Sequence, residues 1–423
     1  MSTPREQHNA SEEPNSGPTR RITQSQSRIY AQHEQRQSSG HPAELSSDYL
    51  NIPNQAGPAL THDTARVHGR KHSREDSTSA SSFKRSKSSI SWRDNIDILE
   101  LLIPSVELYN PHDYKTTLQF LPDDVRSLYE QIHTASIGGG ILPGEIQADI
   151  IDAEPGLGEH YFRPVDETNL AASKKIWEKM KDLRLTASSY GRSESFEGMR
   201  HIFVFAPFLT LVFEEPGKAV PPVCSRIVSI SGTPLEEEYI PKLRVCKEED
   251  KDLLDKKIDW VVAVELPKSS TLYDTIIQAT ETRRLRDFNA TEDYGIRYSP
   301  IAVMIETRPT IQRSDPLVLL TCWAVARRKK MLHLRQNLND TRNVPSIPLI
   351  EMVGETWYLY FACDGDRGLL NIVGPIPIGG TLTYIDMYKA YTILTAIRGW
   401  AETTYLAAIE AWLGAAEGGQ SSV

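Results

Sequence analysis

The sequence predicts an α/β fold, with a central sheet covered by helices on both faces and an N-terminal tail outside it. Residues 258–266 (IDWVVAVEL) and 300–307 (PIAVMIET) are continuous apolar runs. Runs of this kind are typical of strands that are buried on both faces. Longer stretches with helical periodicity lie between and after them. Residues 1–91 are instead rich in Ser, Gln, Pro, His and Arg, and we expect them to be disordered because they offer too little apolar surface to offset the entropy of ordering.

The other elements follow from local patterns. We expect a strand at 226–231 and a hairpin of 347–353 with 356–363 around Gly354. Helices are expected over 123–132, 167–183, 316–334 and 386–412, and over 196–213, where Pro207 kinks or divides the helix. Residues 137–165, which are rich in Gly and Pro, are expected to form a long irregular connection.

These elements predict four regions. After the tail, residues 92–190 form a helical extension, either as a subdomain or as part of the core domain. Residues 191–415 form the α/β core, and residues 416–423 form a disordered C-terminus.

Composition limits the classes of function. The chain has 423 residues, 39% of them hydrophobic, and a formal net charge of −9. Such a charge argues against binding nucleic acid through bulk attraction, although a local basic face remains open. The N-terminus has no apolar leader segment and no stretch is long enough to span a bilayer. We therefore expect a soluble nuclear or cytoplasmic protein that is not secreted and has no membrane partner; the sequence does not predict its oligomeric state.

Two basic clusters near the end of the tail have the spacing of a bipartite nuclear import signal. Such a signal presents two cationic patches to acidic grooves on an import carrier. The alternative is a solvated, charged tail without a targeting role. The residues are Arg70, Lys71, Lys84, Arg85 and Lys87.

Three acidic residues occupy positions at which a metal or catalytic site would be expected. Asp259 begins one apolar run, Glu306 closes another, and Glu197 begins the helix before the sheet. A carboxylate in an apolar strand is costly to bury unless it is paired or binds a cation, and a divalent metal relieves the repulsion between two neighbouring carboxylates. Arg308 is two positions after Glu306 and would share its face of a strand. The alternative is that these are exposed acids at strand ends.

Residues 194–412 resemble the fungal PD-(D/E)XK nuclease-like domain proteins. The resemblance rests on five segments in the same order: SESFEGMRHIFVFAPFL, KKIDWVVAV, NATEDYGIRYSPIAVMIETR, LLTCWAVARRKKMLHL and IPIGGTLTYIDMYKAYTILTAIRGW. Each motif alone is weak, whereas their order and spacing make the match fairly specific.

The resemblance implies a restriction-endonuclease-like core with a mixed sheet flanked by helices. It also implies that Glu197, Asp259 and Glu306 bind Mg²⁺ or Mn²⁺ and direct a water at a DNA phosphodiester. The motif lysine is replaced by Arg308, which holds its proton too tightly to act as a base. Leu319 stands where the family often has Gln, and Arg200, His201 and Phe205 replace the usual residues of the first helix. The sequence is thus similar to a divergent member: either a metal-dependent DNA hydrolase or a non-catalytic module that binds nucleic acid or protein.

Two further basic groups could contact phosphates if they face the acids. One group is Arg283, Arg284 and Arg286; the other is Arg327, Arg328, Lys329 and Lys330, with Arg335 beyond it. The alternative for the second group is that the cations interact with the negative end of a helix dipole.

Overall fold

A seven-stranded mixed sheet forms the centre of the part of the chain that the structure describes. The computed structural model describes residues 99–190, 197–214, 223–244, 257–308, 316–335, 341–365 and 368–414. The predicted tail, with its five import-signal residues Arg70, Lys71, Lys84, Arg85 and Lys87, and the C-terminal residues 416–423 lie outside these ranges.

The strand order of this sheet is β2-β9-β8-β7-β6-β5-β3, and β1 and β4 form a separate pair. The strands are β1 (Leu102–Ile103), β2 (Val106–Tyr109), β3 (Cys224–Ser229), β4 (Lys242–Leu243), β5 (Trp260–Glu265), β6 (Ile301–Arg308), β7 (Ile347–Val353), β8 (Thr356–Asp364) and β9 (Leu370–Gly380). Strand β5 is antiparallel to β6, and β6 is parallel to β7.

The α-helices of the described residues cover both faces of the sheet. They are α1 (Tyr114–Phe120), α2 (Asp123–Ser136), α3 (Gln147–Ala153), α4 (Leu170–Tyr190), α5 (Glu197–Arg200), α6 (Ala206–Phe213), α7 (Thr271–Thr282), α8 (Pro316–Leu334), α9 (Tyr384–Trp400) and α10 (Leu406–Gly414). This mixed sheet between helices confirms the predicted fold class.

The two faces of the sheet carry separate hydrophobic clusters. Ile305 belongs to the cluster that α2, α4, α6, α9 and α10 cover, whereas Met304, its neighbour on β6, belongs to the cluster under α8. The alternation follows from the strand geometry, in which successive side chains point to opposite faces. Helix α8 is buried along most of its length, which explains why its sequence shows no polar face.

Two predicted helices contain π turns. The 196–213 helix begins at Glu197 and passes through a π turn, His201–Phe205, into α6, whose first turn contains Pro207. Because proline has no N–H to donate, a change of helical register just before it loses little. The C-terminal helix starts at Tyr384, since the Thr383 side chain accepts a hydrogen bond from the Asp386 N–H, and a second π turn, Ala401–Tyr405, separates α9 from α10.

The described part of the predicted extension, residues 99–190, packs directly onto the core. Strand β2 pairs in parallel with β9 at one edge of the sheet. Trp177 of α4 packs against Tyr384 with ring centroids 4.5 Å apart, and the Trp400 indole N–H donates to the Asp124 carbonyl at 2.8 Å. The region therefore contributes a strand as well as helices to the same hydrophobic core.

Strand β3 forms the other edge, and a side chain covers part of its backbone. Ser225 pairs with Val264 of β5 on one side. On its other side, its N–H donates to the Glu402 carboxylate at 2.8 Å, and Arg398 lies 3.2 Å from the same carboxylate oxygen. One outward backbone donor of this edge strand therefore has an internal acceptor.

Candidate functional site

The two predicted strand acids lie side by side at one end of the sheet. Trp260 of β5 pairs with Ile305 of β6. Asp259 precedes Trp260 and Glu306 follows Ile305, so the antiparallel register places the two acids at adjacent positions. The Asp259 carboxylate also accepts a hydrogen bond from the Thr307 N–H at 2.9 Å, so the chain stays beside β6 beyond the last paired residue.

Asp259 is held by a short chain of polar contacts. The same carboxylate oxygen, Oδ2, accepts from the Thr307 hydroxyl at 2.6 Å, and His201 Nδ1 lies 3.1 Å from that hydroxyl oxygen. A hydroxyl has one proton, and here it is directed to the carboxylate, so His201 Nδ1 must act as the donor to Thr307. The His201 ring is stacked on Trp260, with centroids 4.7 Å apart.

Glu306 and Arg308 form the ion pair that their spacing predicts. Arg308 Nη2 lies 2.6 Å from Glu306 Oε1, and the side chains are 27% and 1% exposed. The buried carboxylate thus has a permanently charged neighbour. A charge-assisted contact of this length is stronger than a neutral hydrogen bond, so Arg308 is a fixed group of the site.

The carboxylates of Asp259 and Glu306 have their partners on different faces of β6. Glu306 alternates with Ile305 and Thr307, so its side chain leaves the strand on the α8 face, together with Met304. The Thr307 hydroxyl that binds Asp259 belongs to the opposite face. The strands are adjacent as the metal hypothesis requires, but each carboxylate has its own set of partners.

A third acid, Glu351, was missed in the sequence. It lies on β7, directly beside Glu306 in the parallel register, and is 3% exposed. The Tyr360 hydroxyl donates to it at 2.9 Å. Burial raises the pKa of Tyr358, which pairs with Glu351 across β7 and β8, and the negative charge of Glu351 raises it further. The signal was present, because Glu351 is also a lone acid in an apolar strand.

The basic group on α8 lies at the other end of the sheet. Arg327 donates to the Pro345 carbonyl and the Tyr405 hydroxyl, and Lys329 donates to the Ile240 carbonyl. Arg328 pairs with Asp364, and Lys330 pairs with Glu236 at 2.7 Å. Asp364 is the last residue of β8, whereas β8 begins opposite Val353, which pairs with Arg308.

The second basic group is near the same end. Arg283 donates to the carbonyl of Arg335, just after α8, and Arg286 lies near Asp287 and Glu292. The fold brings neither basic group close to Asp259 and Glu306. For Arg327 to Lys330, the contacts favour the structural interpretation over phosphate binding, and the predicted role in nucleic-acid binding stays a prediction.

The acids can be tested against the needs of a metal ion. Within the described ranges, no group of three or more His, Cys, Asp or Glu side chains could hold one. Mg²⁺ nevertheless prefers oxygen ligands and commonly binds through one or two carboxylates, with waters and substrate phosphates completing its shell. The donor chemistry of Asp259 and Glu306 fits that requirement, whereas their orientation on different faces of β6 does not, so one carboxylate would have to turn for the two to share an ion. Glu197 begins α5, but its side chain lies outside the described residues, so its role as a ligand stays a prediction.

A scan against family models decides the family. The model of the PD-(D/E)XK nuclease superfamily matches residues 150–406. The chain belongs to the PD-(D/E)XK nuclease superfamily. The matched range covers more than half of the chain and contains β5, β6 and all the candidate acids. No curated protein and no solved structure matched the chain.

Membership of this superfamily indicates a nuclease-like function. That Asp259 and Glu306 are the motif acids of the superfamily, with Arg308 in the place of its lysine, stays a prediction. None of the helices in the described ranges has both the length and the hydrophobicity to cross a bilayer.

Proposed function

We propose that the chain is a metal-dependent hydrolase of DNA phosphodiesters, with Asp259, Glu306 and Arg308 at its reactive centre. The observation that carries the proposal is the register of β5 and β6, which sets Asp259 next to Glu306. It combines with the superfamily match over residues 150–406. A fixed guanidinium beside two acids is also suited to a reaction in which negative charge develops on a phosphate.

Asp259 and Glu306 would hold the Mg²⁺ or Mn²⁺ ion after one of the two carboxylates turns towards the other, with Glu197 as the further candidate ligand. When bound, a divalent ion supplies Lewis-acid chemistry and makes a coordinated water more acidic. Thr307 and His201 keep the Asp259 carboxylate in one orientation. Orientation matters because small displacements of a reacting group reduce rates strongly.

Arg308 would stabilise charge on the phosphate and would not accept a proton. A guanidinium holds its proton too tightly to act as a general base at neutral pH. Any base in the reaction would therefore be another group, such as a second water or a substrate oxygen. This difference from a lysine-containing motif predicts slow cutting and a dependence of the rate on pH that does not follow a lysine.

A second candidate function is a non-catalytic module that binds nucleic acid or protein on the same scaffold. The observation in its favour is that Asp259 and Glu306 have partners on different faces of β6, while Arg308 neutralises Glu306. Such a site could remain stable without a metal ion. The two candidates differ in one measurable property, which is cutting.

A plasmid-nicking assay with Mg²⁺ or Mn²⁺ separates the two candidates. The full chain is compared with Asp259→Asn and Glu306→Gln, which preserve size and remove charge. Asp274→Asn, an exposed acid on α7, is the matched control. The hydrolase proposal expects metal-dependent nicking that both site variants abolish and the control retains. Absence of nicking by the full chain, or equal nicking by all four proteins, would refute it; retained DNA binding without nicking would support the second candidate.

We also propose that the chain enters the nucleus through the two basic clusters of the tail. The support is the bipartite spacing of Arg70 and Lys71 with Lys84, Arg85 and Lys87, which suits an import carrier. A fluorescent fusion of the full chain should accumulate in nuclei, and replacing the five cations by alanine should leave it in the cytoplasm. Unchanged nuclear accumulation of that variant would contradict the proposal.

A further inference from the structure

One helical face beside the site is apolar but is turned to solvent. Met199 of α5, together with Ile202 and Phe203 of the π turn, is 40%, 58% and 44% exposed in that order. Their spacing of three and four residues places them on one side of the helix. The opposite side is buried and includes Arg200 and Val204. A helix normally directs its apolar face to the core, so three neighbouring exposed apolar side chains indicate a surface that a ligand covers.

The π turn that carries this exposed face also carries a residue of the site. His201 lies 3.1 Å from the Thr307 hydroxyl that donates to Asp259, and its ring is stacked on Trp260. These contacts fix the turn against the ends of β5 and β6. Each residue of the exposed face is within two positions of His201 along the chain, so the face borders the site.

Phe203 supplies a flat ring on this face. The ring is stacked with that of Tyr190, the last residue of α4, with centroids 5.9 Å apart and planes inclined by 26°. A ring that is already oriented by a neighbour loses little side-chain entropy when a second flat group packs against its exposed part. Every nucleobase is such a group, because every base has a π face.

The position of the exposed face favours a nucleobase over a protein side chain as its occupant. A DNA strand that places one phosphate at Asp259 and Glu306 continues over the neighbouring surface, because its nucleotides are covalently joined. The bases of a duplex are stacked on one another, and a base packs against a protein ring only when it is unpaired or turned out of the helix. A base on Phe203 therefore belongs to single-stranded or locally opened DNA.

We propose that Phe203 stacks on an unpaired base of the strand bound at the site, so that the chain binds single-stranded DNA in preference to duplex DNA. Met199 and Ile202 extend the apolar contact around that base. The inference deepens the proposed function, because it rests on DNA being bound at Asp259 and Glu306 and names the class of DNA. It does not depend on cutting, since stacking contributes to binding whether or not hydrolysis follows.

Fluorescence anisotropy with a labelled single-stranded oligonucleotide, and with the duplex of the same sequence, tests the proposal. Binding is measured over a range of KCl concentrations, in Ca²⁺ and separately in EDTA. The full chain is compared with Phe203→Ala, Phe203→Trp and Tyr294→Ala. Tyr294 is 69% exposed and lies before the start of β6, whereas Asp259 contacts Thr307 near the other end of that strand. The control therefore removes an exposed aromatic ring at a distance from the site.

Phe203→Ala should weaken binding of the single strand roughly five- to hundredfold, the range for the loss of one stacking contact, and should change duplex binding by less than about twofold. The slope of log affinity against log salt should stay the same, because stacking releases no counterions. Phe203→Trp should restore single-strand binding, and Tyr294→Ala should behave as the full chain. Retained duplex binding by Phe203→Ala also shows that this variant is folded.

Several results would overturn the inference. They are an equal loss of single-strand and duplex binding in Phe203→Ala, an equal loss in Tyr294→Ala, a changed salt slope in Phe203→Ala, and no DNA binding by the full chain. Unchanged single-strand binding by Phe203→Ala would also overturn it, and would leave a protein partner as the occupant of the exposed face.

The nicking assay keeps this test separate from the proposed hydrolysis. Single-strand binding that depends on Phe203, without any nicking, would support the inference and refute the hydrolase. Nicking that requires Glu306, with single-strand binding that Phe203→Ala leaves unchanged, would support the hydrolase and refute the inference.

Discussion

The two ends of the central sheet use charged residues differently. At the end with Asp259, Glu306 and Arg308, one cation is fixed to a buried acid while Lys257 remains exposed. At the opposite end, the cations of α8 are buried or half-buried, and their contacts are with carboxylates and carbonyls of the same chain, as for Lys330 with Glu236. We call these the site end and the paired end.

The comparison shows that a run of basic residues in a sequence does not by itself mark a binding surface. Residues 327–330 form the densest basic run in the folded region, yet Arg327 and Lys330 are 8% and 1% exposed. A shorter basic pair such as Lys256–Lys257 carries a weaker sequence signal. Burial, rather than density of charge, separates charges that stabilise the fold from charges that a ligand can reach.

The largest effect is expected at the paired end. Lys330→Ala should lower the free energy of unfolding by about 3–5 kcal/mol, because it leaves the Glu236 carboxylate without its buried partner. Denaturant unfolding measures the change, and Lys268→Ala is the exposed control. The salt slope for DNA should not change. A loss below about 1 kcal/mol would show that the paired end does not carry the stability we assign to it.

At the site end, Arg308 should affect nicking as well as stability. Arg308→Ala should reduce nicking roughly 10²-fold, as expected for the loss of one group that stabilises charge in the transition state. Its effect on unfolding should be comparable to that of Lys330→Ala, because it leaves the buried Glu306 carboxylate without the Arg308 guanidinium. Arg308→Lys should retain most of the activity. If Arg308→Ala destabilised the protein strongly and left nicking intact, the two ends would not differ in the proposed way.

A smaller change is expected for the contact that orients Asp259. Thr307→Val removes the hydroxyl that donates to Asp259 and faces His201, but keeps the shape of the side chain and the N–H contact. The expected cost is about 0.5–1.5 kcal/mol of stability, with a further loss of nicking. Thr307→Ser keeps the hydroxyl and should restore both. Equal values for valine and serine would exclude a role for the hydroxyl.

The smallest effect concerns pH at the paired end. Burial raises the pKa of Glu236 above its ordinary value of 4.5, and Lys330 opposes the shift. The native state therefore favours the protonated form of Glu236. Protonation of Glu236 contributes fully to the free energy of unfolding below the ordinary pKa, and this contribution is lost as pH rises through the native pKa. Relative to Glu236→Gln, the wild type should gain stability as pH falls from 7 towards 4.5. A difference that stayed constant or fell would contradict the raised pKa.

Much of the fold could be predicted from local sequence patterns that have a known physical cause. Strands β5 and β6 are continuous apolar runs because both of their faces are covered, and the β7–β8 hairpin is marked by Gly354, whose φ is 57°. The pair Glu306 and Arg308 followed from the two-residue period of a strand. These features depend on residues that are near one another in the chain, so the sequence was sufficient to predict them.

The features that were missed depend on contacts between distant residues. Strand β9 contains Pro375 and Pro377 and several glycines, residues that are uncommon inside strands, and it forms because β8 and β2 pair with it on either side. His201 contacts Thr307 only because α5 and its π turn pack beside β6. The different faces of Asp259 and Glu306 likewise required the register, and no spacing in the sequence reports it.

The carboxylate of Glu402 on the backbone of β3 has a consequence for association. An exposed edge strand can be extended by a strand from another molecule, which is a common route to aggregation. At Ser225 that route is obstructed, since the outward N–H is already bound within the chain. A neighbouring molecule would have to displace an acid that is held by Arg398 before it could add a strand at this position.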